Sequence, residues 1–116
     1  MKSSPKGKLK KKLDRLIQEK YVPLYPECLI CGGQTTEMHH FVQKKQSLAL
    51  RWELTNLVSL CKGCHLAHHQ KGDYRINEII IAKKGKEWLR EIEEKRKILF
   101  KDTMANLRDI EKTFDK

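Results

Sequence analysis

Apolar positions recur at helical spacing near both ends of the chain and gather into short runs in its middle. Leu9, Leu13, Leu16 and Ile17 predict an amphipathic helix over about 8–20, with lysines on its other face. The Lys, Ser, Pro and Gly of residues 1–8 predict disorder, and Pro23 and Pro26 an extended connection. Residues 35–41 are short and partly β-branched and read as a strand. A long polar loop over 42–56 follows, then a second strand at 57–60 and a helix over 62–71 that carries His65, His68 and His69. Beyond Gly72, Asp73 is an expected N-cap for a helix over 75–84 with Ile76, Ile79 and Ile80 on one side. Gly85 punctuates, and Trp88, Leu89 and Ile92 form the stripe of another helix. Leu99, Phe100, Met104, Leu107, Ile110 and Phe114 continue at near-heptad spacing, in a seam that could pack within the chain or form a homodimer. The charged run 93–97 either separates two helices or forms one exposed turn.

Length changes this picture little: 116 residues make one domain, divided into a basic tail and helix (1–21), a central core (22–71) and trailing helices (72–116). A chain of this size buries roughly two thirds of its surface, so a structural metal would add much to its stability. Charge changes it more. Lys and Arg number 25 against 15 acids, a formal +10, which favours a polyanion such as DNA as partner. Lys10, Lys11 and Lys12 on the first helix and Lys44, Lys45 and Arg51 in the loop are candidate phosphate contacts, against the plainer reading of a solvated surface. The basic N-terminus has no apolar core of a signal peptide, and no apolar run approaches the ~20 residues of a membrane span. A soluble, cytoplasmic protein is expected.

All four cysteines lie in two Cys-x-x-Cys pairs, Cys28/Cys31 and Cys61/Cys64. Each pair offers two sulfurs from one tight turn, and two pairs complete the tetrahedral shell of a structural zinc. Two disulfides are the alternative, disfavoured where nothing suggests export. Such a zinc has no open position and acts as a scaffold, pinning the base of the loop between Cys31 and Cys61. The end of the first strand then lies beside the start of the helix.

That pinning gathers histidines. His39 and His40 are adjacent on a strand and point to opposite faces, so one can bind a cation while the other serves as a general base. His65 lies near the N-terminal end of the helix and His69 follows four residues later on the same face. His39, His65 and, with less support, His69 are a second metal set, distinct from the cysteines. Phosphodiester hydrolysis needs an activated water, stabilised phosphorus and help for the leaving oxygen, roles that His40, a divalent cation and a loop clamped by Asn56 can fill. The cation can be Mg²⁺, Mn²⁺, Ni²⁺ or Zn²⁺, with imidazole favouring the transition metals.

The order Cys-x-x-Cys, His39-His40, Asn56, Cys-x-x-Cys-His65 resembles the HNH endonucleases, over residues 28–69. The resemblance implies an α+β fold: a ββα-metal core with a four-cysteine knuckle pair, flanked by an N-terminal helix and C-terminal helices. It implies His40 as general base, Asn56 as the loop brace, and His39, His65 and His69 as ligands of the catalytic cation, with His68 a near competitor of His69; many members carry Asp where this chain has His39. Leu50-Arg51-Trp52, Gly72-Asp73-Tyr74-Arg75 and Gly85-Lys86-Glu87 resemble the NinG/Rap phage recombination nucleases, which implies branched recombination intermediates as substrate. Some members of that family carry a long N-terminal extension, and some have Asn in place of His65. The reading is a divalent-metal-dependent DNA endonuclease. Its rivals are an HNH nuclease assisting phage DNA packaging and a non-catalytic zinc-binding DNA module. A zinc nucleobase deaminase is disfavoured: it needs His-x-Glu spacing, and the second cysteine pair would be unexplained.

Overall fold

A computed structural model describes residues 4–70 and 75–114, without the side chains of 68–70; the expected N-cap at Asp73 lies outside the described residues. The first helix, α1 (Pro5–Leu24), is longer than its apolar spacing predicts. It starts earlier because Ser4 Oγ accepts from Gly7 N–H at 3.0 Å and Pro5 stands at the first helical position, where its missing donor costs nothing. Residues 5–8 are therefore helical, against the expected disorder. It also runs past Pro23, whose lost backbone bond falls in a last turn closed by Tyr25 N–H to Tyr21 O.

Strands β1 (Glu37–His40) and β2 (Leu57–Leu60) pair antiparallel, with His39 opposite Val58 and His40 opposite Leu57. The pairing sets two faces by parity. Met38, His40 and Leu57 share the face toward α1, where Leu13, Ile17, Trp52 and Leu107 complete a buried cluster. Glu37, His39, Val58 and Leu60 share the other. There Val58 and Leu60 pack with Cys28 and with Ile76 and Ile80 of α4 (Arg75–Lys84). The sheet thus stands between two small cores.

The expected loop over 42–56 holds a short helix, α2 (Leu48–Arg51), capped by Ser47 Oγ, and a 3₁₀ turn (Leu54–Asn56). Its apolar residues turn inward: Val42 and Leu50 pack against Ile92 of α5 (Lys86–Arg96). Four helical residues are too few to form a helix on propensity alone, so packing decides this one. Helix α3 (Lys62–Gln70) follows β2. Gly85 adopts φ +94°, a conformation open to glycine, and starts α5.

The charged run, expected to separate two helices or form an exposed turn, is the last turn of α5, which ends at Arg96; residues 97–103 make the separation, and α6 (Met104–Thr113) begins after Thr103, whose Oγ1 accepts from Asn106 N–H. Phe100, Leu107, Ile110 and Phe114 pack into the α1 cluster, so these four positions of the near-heptad seam are filled within the chain. Leu99, at 85 % exposure, stands outside it. Trp52 packs in the α1 cluster, while Trp88 meets Phe41 edge-on and donates to Thr55 O at 2.8 Å. Among the described residues no helix is long and apolar enough to cross a membrane.

Candidate active site and metal centre

The two knuckles meet as the cysteine spacing requires. Gly32 takes φ +76° and returns its N–H to Cys28 O, while Cys28 N–H reaches Gly33 O, so residues 28–33 close a tight turn. Gly33 N–H and Cys64 N–H lie 3.4 Å from Cys31 Sγ and Cys61 Sγ. The four Sγ atoms lie within 4.8 Å of one another, with Cys31 and Cys61 at 3.5 Å. A tetrahedral zinc with Zn–S bonds of about 2.3 Å separates its sulfurs by about 3.8 Å, so the cluster fits the ion. Burial pushes the Cys28 thiol up, but backbone N–H groups of Cys31, Cys61 and Ile30 outweigh it and bring it down to about 6, which favours the thiolate a metal needs. Burial, with the neighbouring cysteines, pushes the Cys64 thiol up instead. The ion's own charge would reverse that direction, since a coordinating thiol is deprotonated.

On the opposite face of β1, His40 Nε2 lies 2.8 Å from the backbone carbonyl oxygen of Arg51. A carbonyl oxygen only accepts, so Nε2 carries the proton and Nδ1 keeps the lone pair. Burial is the largest influence on His40 and holds its pKa below 6.5, helped by the charges of Lys44 and Arg51 and opposed by the Arg51 carbonyl and Asp14. Asn56, fully buried, accepts from Val42 N–H at 2.8 Å and donates to Val42 O at 3.0 Å and Leu50 O at 3.2 Å. One side chain therefore ties the residue two beyond His40 to the residue before Arg51. The loop that presents the His40 acceptor is closed from inside.

On the cysteine side, the His39 and His65 rings stand edge to face with centroids 5.7 Å apart. His65 Nδ1 lies 3.1 Å from Glu37 Oε2. Donation to that carboxylate puts the proton on Nδ1 and leaves Nε2 as the ligating atom. Glu37, His39, His40, Gln43, Lys44, Lys45 and His65 line one open cleft of about 410 Å³. Two imidazoles at its wall, one of them held by Glu37, are donors suited to a divalent cation. The His69 side chain lies outside the described residues. Among those described, the cysteines are the one group of three or more candidate ligands close enough to share an ion.

The candidate phosphate contacts divide. Lys45 is exposed on the cleft wall, and Lys44 beside it lies 3.6 Å from Asp14. Arg51 faces inward, its Nε and Nη2 on the two oxygens of Asp14 at 3.1 and 2.7 Å. Lys10 pairs with Asp102 and Lys12 with Glu111, both tying α1 to the α6 end of the chain, while Lys11 is exposed. Sequence reasoning passed over Asp14, Gln18 and Glu37. Asp14 had a signal, being the one acid among the lysines of residues 5–18.

The stretch from residue 27 to 71, which spans both knuckles, both strands, the loop and α3, matches the family model described as HNH endonuclease. The match supports the HNH family for this segment and, through it, a nuclease. No curated protein and no solved structure matches the chain.

Proposed function

We propose that the chain is a divalent-metal-dependent DNA endonuclease that hydrolyses phosphodiester bonds, with His40 as general base and Asn56 as the brace of its loop. The observation that carries this reading is the contact between His40 Nε2 and the Arg51 carbonyl, made by a residue that lines an open cleft. It leaves Nδ1 unprotonated on a ring that burial keeps neutral near pH 7, the form that can take a proton from water attacking phosphorus. Asn56 holds the acceptor in place, and Lys44 and Lys45 attract the DNA backbone to the cleft.

The four cysteines would hold a structural zinc. His39 and His65, with His69 as a further candidate, would hold the catalytic cation, and Glu37 would orient His65. When bound, that cation supplies charge stabilisation at the scissile phosphate and the leaving oxygen. The likeness to the NinG/Rap nucleases makes branched recombination intermediates the favoured substrate within this reading, ahead of a role beside a phage packaging motor.

The test is cleavage of duplex, nicked, flap and four-way-junction DNA across a metal series, by wild type, His40→Ala and His39→Asp, with zinc content measured in each. Imidazole ligands predict activity with Mn²⁺ or Ni²⁺ at least equal to that with Mg²⁺, and His39→Asp should shift preference back toward Mg²⁺. His40→Ala should lose about 10²- to 10⁴-fold in rate while keeping its zinc. Full activity in His40→Ala would refute the mechanism. DNA binding without cleavage by the wild type would favour the non-catalytic zinc module.

A further inference from the structure

Helix α1 lies outside the segment that matches the family, yet it touches His40's surroundings from two sides. Asp14 and Gln18 stand four residues apart, on one face of α1. Gln18 grips the strand: its Oε1 accepts from Met38 N–H at 2.8 Å and its Nε2 donates to Met38 O at 3.0 Å. The amide pairs with one residue of β1 as a neighbouring strand would, and Met38 is two residues before His40. Asp14 grips the loop. It accepts two bonds from Arg51 and a third from Trp52 Nε1 at 3.0 Å, and the guanidinium lies 5.1 Å from the centroid of the Trp52 ring. Burial alone would push the Asp14 carboxyl up, but Arg51, Lys44 and Trp52 outweigh it and hold it below the ordinary carboxylate value.

We propose that Asp14 and Gln18 are positioning residues for His40: Gln18 fixes the strand that carries the ring, and Asp14 fixes the residue whose carbonyl sets the ring's tautomer. The inference rests on reading His40 as the general base. It assigns to α1 a part in the reaction that a solvated basic helix would not have. The Asp14–Arg51 pair is unlike an exposed ion pair, because both side chains are less than one fifth exposed, at 19 % and 18 %, and the contact is bidentate. It also has a consequence for charge. With Asp14 in place Arg51 serves the loop; without it, Arg51 and Lys44 would add positive charge to the cleft rim.

The experiment uses the full zinc-loaded chain as wild type, Asp14→Ala, Asp14→Asn and Gln18→Ala, with Glu19→Gln on the exposed side of α1 as control. Two readouts are taken. Steady-state cleavage of a short duplex with Mn²⁺ gives kcat and KM separately, and ¹⁵N NMR of the His40 ring above its pKa gives its tautomer without any turnover. The wild type should show the Nε2–H tautomer alone. Asp14→Ala should show a mixture and lose about 10²-fold in kcat, the scale of an ångström-sized misplacement, with KM unchanged or lower. Gln18→Ala should lose kcat in the same sense, and Glu19→Gln should match wild type in both readouts. Asp14→Asn keeps the shape and removes the charge, so it decides the matter if Asp14→Ala does not fold. Variants with native zinc content and cooperative unfolding that keep wild-type kcat and a single tautomer would overturn the proposal. A raised KM at unchanged kcat would also overturn it, by making Asp14 part of the DNA grip. Should the wild type fail to cleave, the general-base reading falls, and the tautomer still decides whether Asp14 and Gln18 set the ring.

Discussion

The two ends of the cleft are built by different physics. Beside His39 and His65, position depends on four sulfurs drawn from two short turns, close enough to share one ion. Beside His40, position depends on neutral hydrogen bonds from a fully buried asparagine and on an ion pair to α1. The first end is built from local turns whose sulfurs could share a metal ion, the second from side chains brought from far along the chain. Removing the metal and removing the hydrogen bonds should therefore break different things, and the sizes of those breaks measure the contrast.

The largest expected effect is at the cysteines. Metal binding to such sites is worth about 10–16 kcal/mol, comparable to or above the about 5–15 kcal/mol that holds a whole domain together. Cys61→Ser should lose zinc and unfold the whole domain, not the knuckles alone, because β2 is shared: Leu57 belongs to the α1 cluster and Val58 and Leu60 to the knuckle cluster. Circular dichroism with metal analysis reads this. A folded, zinc-free Cys61→Ser protein would contradict both the scaffold and the contrast.

Asn56→Ala attacks the other end. It leaves a buried N–H and two buried carbonyls without this partner, at about 1–3 kcal/mol for each group left unsatisfied. Stability in urea should fall by roughly 3 kcal/mol or more, still within what the domain can lose, with zinc retained. Cleavage should fall about 10²-fold as the Arg51 carbonyl moves. Zinc loss in a folded Asn56→Ala protein would mean that the two ends are not separable.

The same contrast explains what could be read from sequence. The knuckles, the strand at 57–60, and helices α3 and α4 were legible because punctuation marks them: paired cysteines, short apolar runs and glycines. The loop was not, since Leu48, Leu50 and Trp52 alternate with other residues over a window too short for helical periodicity. Packing on Ile92 and Leu13 made structure there. The histidine pair and Asn56 were legible as residue types. Arg51 looked like a phosphate contact because its partner lies 37 positions away on a helix whose polar face reads as solvated. Glu37 likewise acquires a partner only when the knuckles bring His65 to it.

Titration probes the His40 end without mutation. Its pKa is depressed, so the neutral ring persists below pH 6.5, and cleavage should fall tenfold per pH unit only below an inflection that itself lies under 6.5. As pH drops through 6.5 the unfolded chain takes up the His40 proton before the folded one does. This contribution to stability is full above that pH and is lost as pH falls toward the folded pKa. An NMR titration placing His40 above 6.5 would contradict the burial that the loop imposes.

The smallest expected effect separates the basic residues at the cleft. Each phosphate neutralised on duplex DNA contributes about −0.9 to the slope of log affinity against log salt. Lys45 is exposed on the cleft wall, so Lys45→Ala should make that slope about 0.9 shallower and leave the His40 tautomer alone. Lys44 is drawn toward Asp14, at 3.6 Å and 45 % exposure, and should contribute less than Lys45. Arg51→Ala should do the reverse of Lys45→Ala. Its guanidinium is already occupied by Asp14, so the salt slope should barely move, while the freed loop lowers the cleavage rate. Binding measured from low to moderate salt for these three variants distinguishes a residue that holds DNA from one that holds the loop. A slope change in Arg51→Ala equal to that in Lys45→Ala would return Arg51 to the DNA interface and remove the ion pair from the account of how His40 is held.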